Sequence, residues 1–317
     1  MKSIGGYFSL ELFSSKEYYN DAIRLNCGRN ALEYILRAKN YTKLFLPSYA
    51  CDVLLEPLLR LNIAYEFYAI DESLDPLNIQ TTDNFEAFLY INYFGLKEKT
   101  TASLQSKINN YIVDNSQGFF SRPIAKIDTF YSPRKFFGIP DGAYLYTNSS
   151  LDIVFEKDVS ANRFLHLLKR IESGPEEGYN NFLENEKSLE NQAIKHMSNL
   201  TQRMLNSIDY DTIRKTRTEN FKYLHENLQF MNELSAMIET VNPIDGPLIY
   251  PLLIKNGKEI RERLLNQKLY IATYWSNVLQ WAENDSFEYY LAQNLVALPI
   301  DQRYNTEDMD YILNLIK

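Results

Sequence analysis

Cysteine and histidine are scarce in this sequence. Two cysteines, Cys27 and Cys51, are too few for a disulfide framework and suit a reducing cytoplasm. Three histidines, His166, His196 and His225, lack metal-ligand spacing, which argues against a zinc site. Neither a Gly-Lys-Ser/Thr phosphate loop nor a Gly-x-Gly-x-x-Gly fingerprint occurs. Positive charge is in deficit. With a net charge of −8, non-specific binding to nucleic acid or an anionic membrane, which needs a basic surface, is not expected. No apolar run approaches membrane-spanning length, and the opening MKSIGGYFSLELF has no apolar core of signal-peptide length. Internal repeats and low-complexity tracts are absent as well.

What is present is a chain of 317 residues, enough for one large domain or two medium ones. Its 45% hydrophobic and 23% charged residues fit a globular protein, and its 24 tyrosines and 18 phenylalanines carry much area to bury. The first half alternates. CGRNALEYILRAK has helical periodicity, with Leu32, Ile35 and Leu36 on one face. KLFLP reads as a strand stopped by Pro47, and CDVLLEPLLRL as a helix kinked at Pro57. AYEFYAID and EAFLYINYFG are strands, TASLQSKIN is helical, and NYIVD, KIDTFY and GAYLYT are further strands. Strands and helices alternating through short links imply an α/β fold with a mostly parallel sheet covered by helices.

From about Phe155 the pattern turns to long amphipathic helices, ANRFLHLLKRIESG, then NFLENEKSLENQAIKHMSNLTQRMLNSI, then DTIRKTRTENFKYLHENLQFM. PLIYPLLI, EIRERLLNQ, YIATYW, NLVALPI and NTEDMDYILNLIK follow as a compact mixture of strand and helix. The reading is a large domain over residues 1–209, including the connecting helices, and a small α+β domain over 210–317, with a cleft between them.

Three polar clusters fall at strand ends or helix starts. In CGRNAL, Gly28 permits close backbone approach, and the amides of Arg29 and Asn30 open a helix, where free N–H groups favour a phosphate. In YIVDNSQG, Asp114 stands at the carboxyl end of a buried strand, where open α/β sheets bind ligands and where a carboxylate needs a partner. In FYSPRKFFG, Lys135 follows Arg134 among Phe130, Tyr131, Phe136 and Phe137. An isolated lysine is ordinarily a solvated surface group. Here the aromatic neighbours are expected to desolvate the amine and, with the Arg134 charge, to favour its neutral, nucleophilic form. A phosphate cradle, a lysine for an aldehyde and an acid facing a ring nitrogen together suit pyridoxal 5′-phosphate.

In this order the motifs resemble the DegT/StrS family of pyridoxal-phosphate-dependent aminotransferases, and the resemblance runs over most of the chain. CGRNALEYIL is similar to the family's Ser-Gly-Thr-x-Ala-Leu phosphate turn, and LFLPSYACDVLLEPLL to its Pro-Ser-Tyr segment. IVDNSQG is similar to its Glu-Asp-x-x-Gln segment, FYSPRKFFGIPDGAYLYT to the stretch holding the Schiff-base lysine, and ALPIDQRYNTEDMDYILNLIK to its C-terminal pattern. The resemblance implies a fold-type-I transferase: a large domain with a mainly parallel sheet, a small C-terminal domain, and a homodimer with shared active sites. It implies that Lys135 is the Schiff-base lysine, Asp114 the ring-nitrogen acid, Gln117 a neighbour of the phenolic oxygen and Ser132 a neighbour of the phosphate. It further implies transfer of an amino group from an amino acid donor to a keto acceptor, a nucleotide-linked sugar.

The sequence departs from the pattern at four places. Arg29 replaces a hydroxyl residue, Val113 replaces an acid, and Cys51 stands where an aromatic ring covers the cofactor, leaving Tyr49 as the nearby ring. The segment that serves the partner's phosphate is matched only by EGYNNF, which offers Asn180 or Asn181 without an arginine. Those departures support a second reading, a protein of this fold that binds or assembles with little or no transaminase activity. Sugar dehydration is a third, disfavoured because its enzymes replace the lysine.

Overall fold

The structure, a computed structural model, describes residues 4–80, 82–241 and 243–316. Its first element, β1 (Ile23–Leu25), leads into α1 (Gly28–Lys39), whose buried stripe includes Leu32, Ile35 and Leu36. Asn40 ends α1 in the left-handed region (φ 56°), and Arg37 and Lys39 put positive charge on its carbonyl end. β2 (Lys43–Pro47), α2 (Leu55–Leu61), β3 (Ala64–Tyr68), β4 (Glu86–Ile91), α3 (Glu98–Leu104), β5 (Tyr111–Asp114), β6 (Asp128–Tyr131) and β7 (Ala143–Tyr146) follow.

The seven strands form one sheet in the order β1-β7-β6-β5-β4-β2-β3. β7 is antiparallel to both neighbours, and the other pairs are parallel. The register aligns Ile91, Asp114 and Phe130 across three strands. Parallel strands buried on both faces are near-continuous in apolar side chains, as β4 and β5 are. The strand order reverses between β4 and β2, the switch point at which such sheets open a crevice along their carboxyl edge.

Helices α4 (Leu165–Ser173), α5 (Pro175–Ser188), α6 (Asn199–Leu205) and α7 (Tyr210–Leu228) form the connecting part. Beyond them lie α8 (Ser235–Glu239), β8 (Tyr250–Leu253), α9 (Gly257–Asn266), α10 (Val278–Trp281), α11 (Phe287–Asn294), β9 (Leu295–Leu298) and α12 (Thr306–Ile316). β8 and β9 pair antiparallel as a separate two-stranded sheet. The buried apolar side chains of both sheets belong to one continuous cluster. Among the described residues no helix is long and apolar enough to cross a membrane.

Three local expectations differ from the structure. CDVLLEPLLRL is not one kinked helix: a 3₁₀ turn over Asp52–Leu54 precedes α2, and Pro57 lies in the first turn of α2, where its missing N–H costs nothing. The long helix read from Asn181 to Ile208 stops at Ser188. His196 then makes isolated bridges to Leu25 and Lys157, and Ser198 restarts the helix by accepting the Thr201 N–H. YIATYW takes no regular structure. The reading passed over β1, three residues long, whose pairing with β7 is entirely non-local.

The C-terminal part is hydrogen-bonded to the carboxyl edge of the large sheet. Trp281 Nε1 donates to Ser48 O, Asn277 Nδ2 to Ala50 O, and Tyr49 Oη to Tyr274 O. The Ile70 N–H donates to Glu288, and Leu248 N–H to Phe94 O.

Candidate active site

Four adjacent strands end at one place. The turn after β2 carries Cys51, the turn after β4 carries Phe94, β5 ends in Asp114, and the turn after β6 carries Ser132 and Lys135. The start of α1 meets them: a β-carbon added to Gly28 would stand 3.7 Å from Ser116 Oγ, 3.9 Å from Ser132 Cβ and 4.0 Å from Phe130. No side chain caps the first turn of α1, so its leading N–H groups are left for another acceptor.

Asp114 is buried, and Ser116 N–H donates to its Oδ1 at 2.7 Å. Burial pushes this carboxyl above the usual aspartate range, while the Lys135 ammonium and the Ser116 hydrogen bonds pull it back. The Lys135 charge also opposes the burial that raises the Cys51 thiol. Asp114, Cys51 and Lys135 therefore belong to one electrostatic neighbourhood.

Gln117 is 1% exposed. Its Oε1 accepts the Phe94 N–H at 2.7 Å, which fixes the amide, and its buried Nε2 has no partner among the described residues. An unpaired buried donor is costly, on the order of 1–3 kcal/mol, and marks a place where an acceptor is missing from the chain itself. Phe94 reaches Gln117 in a left-handed conformation (φ 57°, ψ 8°). Gly118 follows close to Asn92, whose Nδ2 donates to Asn115 Oδ1 and Ser121 Oγ.

The remaining sequence-derived residues have other partners. Lys135 is exposed, whereas Phe136 and Phe137 turn away from it into the core against Phe119. The expectation that the aromatics desolvate the lysine is thus corrected, because both rings pack into the core while Lys135 faces outward. Arg134 pairs with Glu186 of α5, and burial lowers its pKa to about 10. Arg29 pairs with Glu56 at 2.8 Å and donates to Leu189 O, so its side chain leaves the helix start sideways. Asn30 directs its Nδ2 to Asn26 and to Ala193 O, which leaves its backbone as the group at the helix start. Tyr49 is fully buried against Trp275 and Tyr93 and is no exposed cover for a ring. Asn180 is exposed on α5.

Two residues of the neighbourhood escaped the sequence reading. Ser116 lies between two residues already singled out, so its position in DNSQG was the available signal. Tyr274 comes from the irregular C-terminal stretch. Its ring packs edge-on against Phe94 at 5.7 Å, and burial raises the pKa of its phenol while the Arg217 guanidinium opposes the rise. No local periodicity announces it.

The mixed α/β fold is of the fold-type-I kind, and solved structures, aminotransferases among them, superpose on it. DesV of S. venezuelae, solved in complex with a ketimine intermediate, aligns with a TM-score of 0.65 at 14% identity, over 93% of this chain and 83% of DesV. A DegT/DnrJ/EryC1/StrS aminotransferase from Brucella abortus aligns at 0.59 and 14% identity, over 93% and 84% of the two chains. PseC of Helicobacter pylori, an aminotransferase involved in the biosynthesis of pseudoaminic acid, aligns at 0.58 and 14%, over 93% and 85%. No protein-family model matches the chain, and no curated protein matches it by sequence.

Proposed function

We propose that this protein is a pyridoxal-phosphate-dependent aminotransferase that moves nitrogen from an amino acid donor to a keto acceptor, a nucleotide-linked sugar. The observation that carries the reading is the gathering of Asp114, Gln117, Ser132 and Lys135 at the carboxyl edge of a fold shared with sugar aminotransferases. The residues fit the cofactor. The unpartnered Gln117 Nε2 suits a phenolic oxygen, and the open turn of Gly28, Ser116 and Ser132 with the uncapped α1 suits a phosphate. Asp114 suits a protonated ring nitrogen.

When bound, pyridoxal phosphate supplies an electron sink and a carbonyl carbon that carries the nitrogen. Lys135 would hold that carbonyl carbon through its ε-amine, and the same amine, when free, would serve as the base for the donor's α-proton. The exposure of Lys135 gives it the freedom to do both. Asp114 would hold the ring nitrogen in its protonated form, and the Ser116 N–H orients the carboxylate. In the homodimer that we propose, Asn180 serves the phosphate site of the other protomer. The two free cysteines, Cys27 and Cys51, support a reducing, cytoplasmic setting.

Purified protein mixed with pyridoxal phosphate is expected to gain a Schiff-base absorbance that borohydride fixes at Lys135. Glutamate or another amino donor is expected to convert that absorbance to the amine form. A spectrum unchanged by Lys135→Ala would overturn the assignment, and bound cofactor inert to every amino donor would overturn the transferase reading.

A further inference from the structure

Arg217, on α7, is 2% exposed, and none of its hydrogen bonds goes to a carboxylate. Nη1 donates to Pro247 O at 3.2 Å and Leu248 O at 3.1 Å, Nη2 to Phe136 O at 3.4 Å, and Nε to Gln302 Oε1 at 3.1 Å. The guanidinium also lies 4.7 Å from the centroid of the Phe136 ring. Gln302 Nε2 adds a second donor to Phe136 O at 2.8 Å. Asp301, whose charge acts on Arg217 from a distance, is occupied by Arg303.

A charge buried this far is expensive, and an apolar side chain of similar volume would fill the space at lower cost. What the guanidinium does that an apolar group does not is join two turns. On one side it holds the carbonyl of Phe136, the residue next to Lys135. On the other it holds Leu248, whose N–H donates to Phe94 O, and Phe94 N–H in turn fixes Gln117. The planar fork makes both connections at once, which a lysine ammonium does not reproduce.

We infer that Arg217 is a positioning residue that fixes the Lys135 turn and the Phe94–Gln117 turn relative to each other through the C-terminal part of the chain. It touches neither substrate nor cofactor. The inference concerns the protein alone, and only its ligand-binding arm rests on the function proposed above.

The test compares Arg217→Met with Asn220→Ala in the cofactor-free protein. Asn220 lies on the same helix and is also buried, but its bonds, to Ile300 O and Tyr304 O, reach neither turn directly. Arg217→Met is expected to speed amide hydrogen exchange at least tenfold at Lys135–Phe137 and at Phe94 and Leu248, and Asn220→Ala at neither group. Arg217→Met is also expected to weaken pyridoxal phosphate binding at least tenfold at matched thermal stability. Equal exchange in the two variants, or opening of one turn alone in Arg217→Met, would overturn the inference. Should Arg217→Met fail to fold, Arg217→Lys decides. It keeps the charge without the fork and is expected to speed exchange at Lys135–Phe137 or at Phe94 and Leu248, and wild-type exchange at both groups overturns the inference. Failure of the wild-type protein to bind pyridoxal phosphate would count against the proposed function, while the exchange result would still decide the role of Arg217.

Discussion

The ammonium of Lys135, on the turn after β6, is the charge that most favours the ionised form of Asp114 at the end of β5. The two groups answer to each other across adjacent strands, so a change at one is readable at the other.

Lys135→Ala is expected to remove the covalently held cofactor absorbance and to lower transamination about a hundred- to ten-thousandfold, the usual worth of a positioned proton-transfer group. The same variant is expected to move the Asp114 carboxyl further above the ordinary aspartate range, followed by carboxyl chemical shift against pH. An Asp114 titration unmoved by the substitution would mean that the two charges do not interact.

Asp114→Asn is expected to weaken catalysis and to stabilise the cofactor-free protein at neutral pH. The folded carboxyl titrates above its unfolded value, so between the two the folded state binds more protons. Wild-type stability therefore falls as pH rises through that window, and the asparagine variant escapes the loss. Melting curves at several pH values should show the variant more stable at pH 7 and the difference closing below about pH 3.9, the ordinary aspartate value. A variant that melts below wild type at pH 7 would contradict this sign.

Gln117→Ala strips the buried Phe94 N–H of its acceptor. The expected cost is about 1–3 kcal/mol, read by chemical denaturation, together with a weaker grip on the cofactor. Stability unchanged by the substitution would show that the Phe94 amide finds another acceptor.

Gly118→Ala places a β-carbon 2.4 Å from Asn92 Nδ2. Asn92 cannot retreat without loosening its bonds to Asn115 and Ser121, so a loss of about 1–3 kcal/mol is expected. The shift would also displace the neighbouring Gln117. Wild-type stability and wild-type cofactor affinity together would refute that coupling.

The parallel sheet was legible because its strands are buried on both faces and announce themselves as apolar runs. Asp114 stands out in the sequence because it ends such a run, and Lys135 because it lies in the turn just after one. The fate of the other side chains was not, since Arg29, Arg134, Asn30 and Tyr49 are claimed by Glu56, Glu186, Ala193 O and Tyr274 O, each far away in sequence. β1 is too short to show a period, and the stretch around Tyr274 has none. The desolvation expected of Lys135 failed for a nearer reason: hydrophobic neighbours in sequence are not neighbours in space when a turn sends them the other way.

The double hold on Phe136 O by Arg217 and Gln302 also bears on the order of events during synthesis. All seven strands of the large sheet have been made by Tyr146, yet the turn that carries Lys135 waits for a side chain at position 302. A nascent chain still held on the ribosome short of that point would carry every strand of the sheet and an unfinished lysine turn. The sheet and the lysine turn on its edge are thus completed at different points of synthesis, the turn later than the strands it joins.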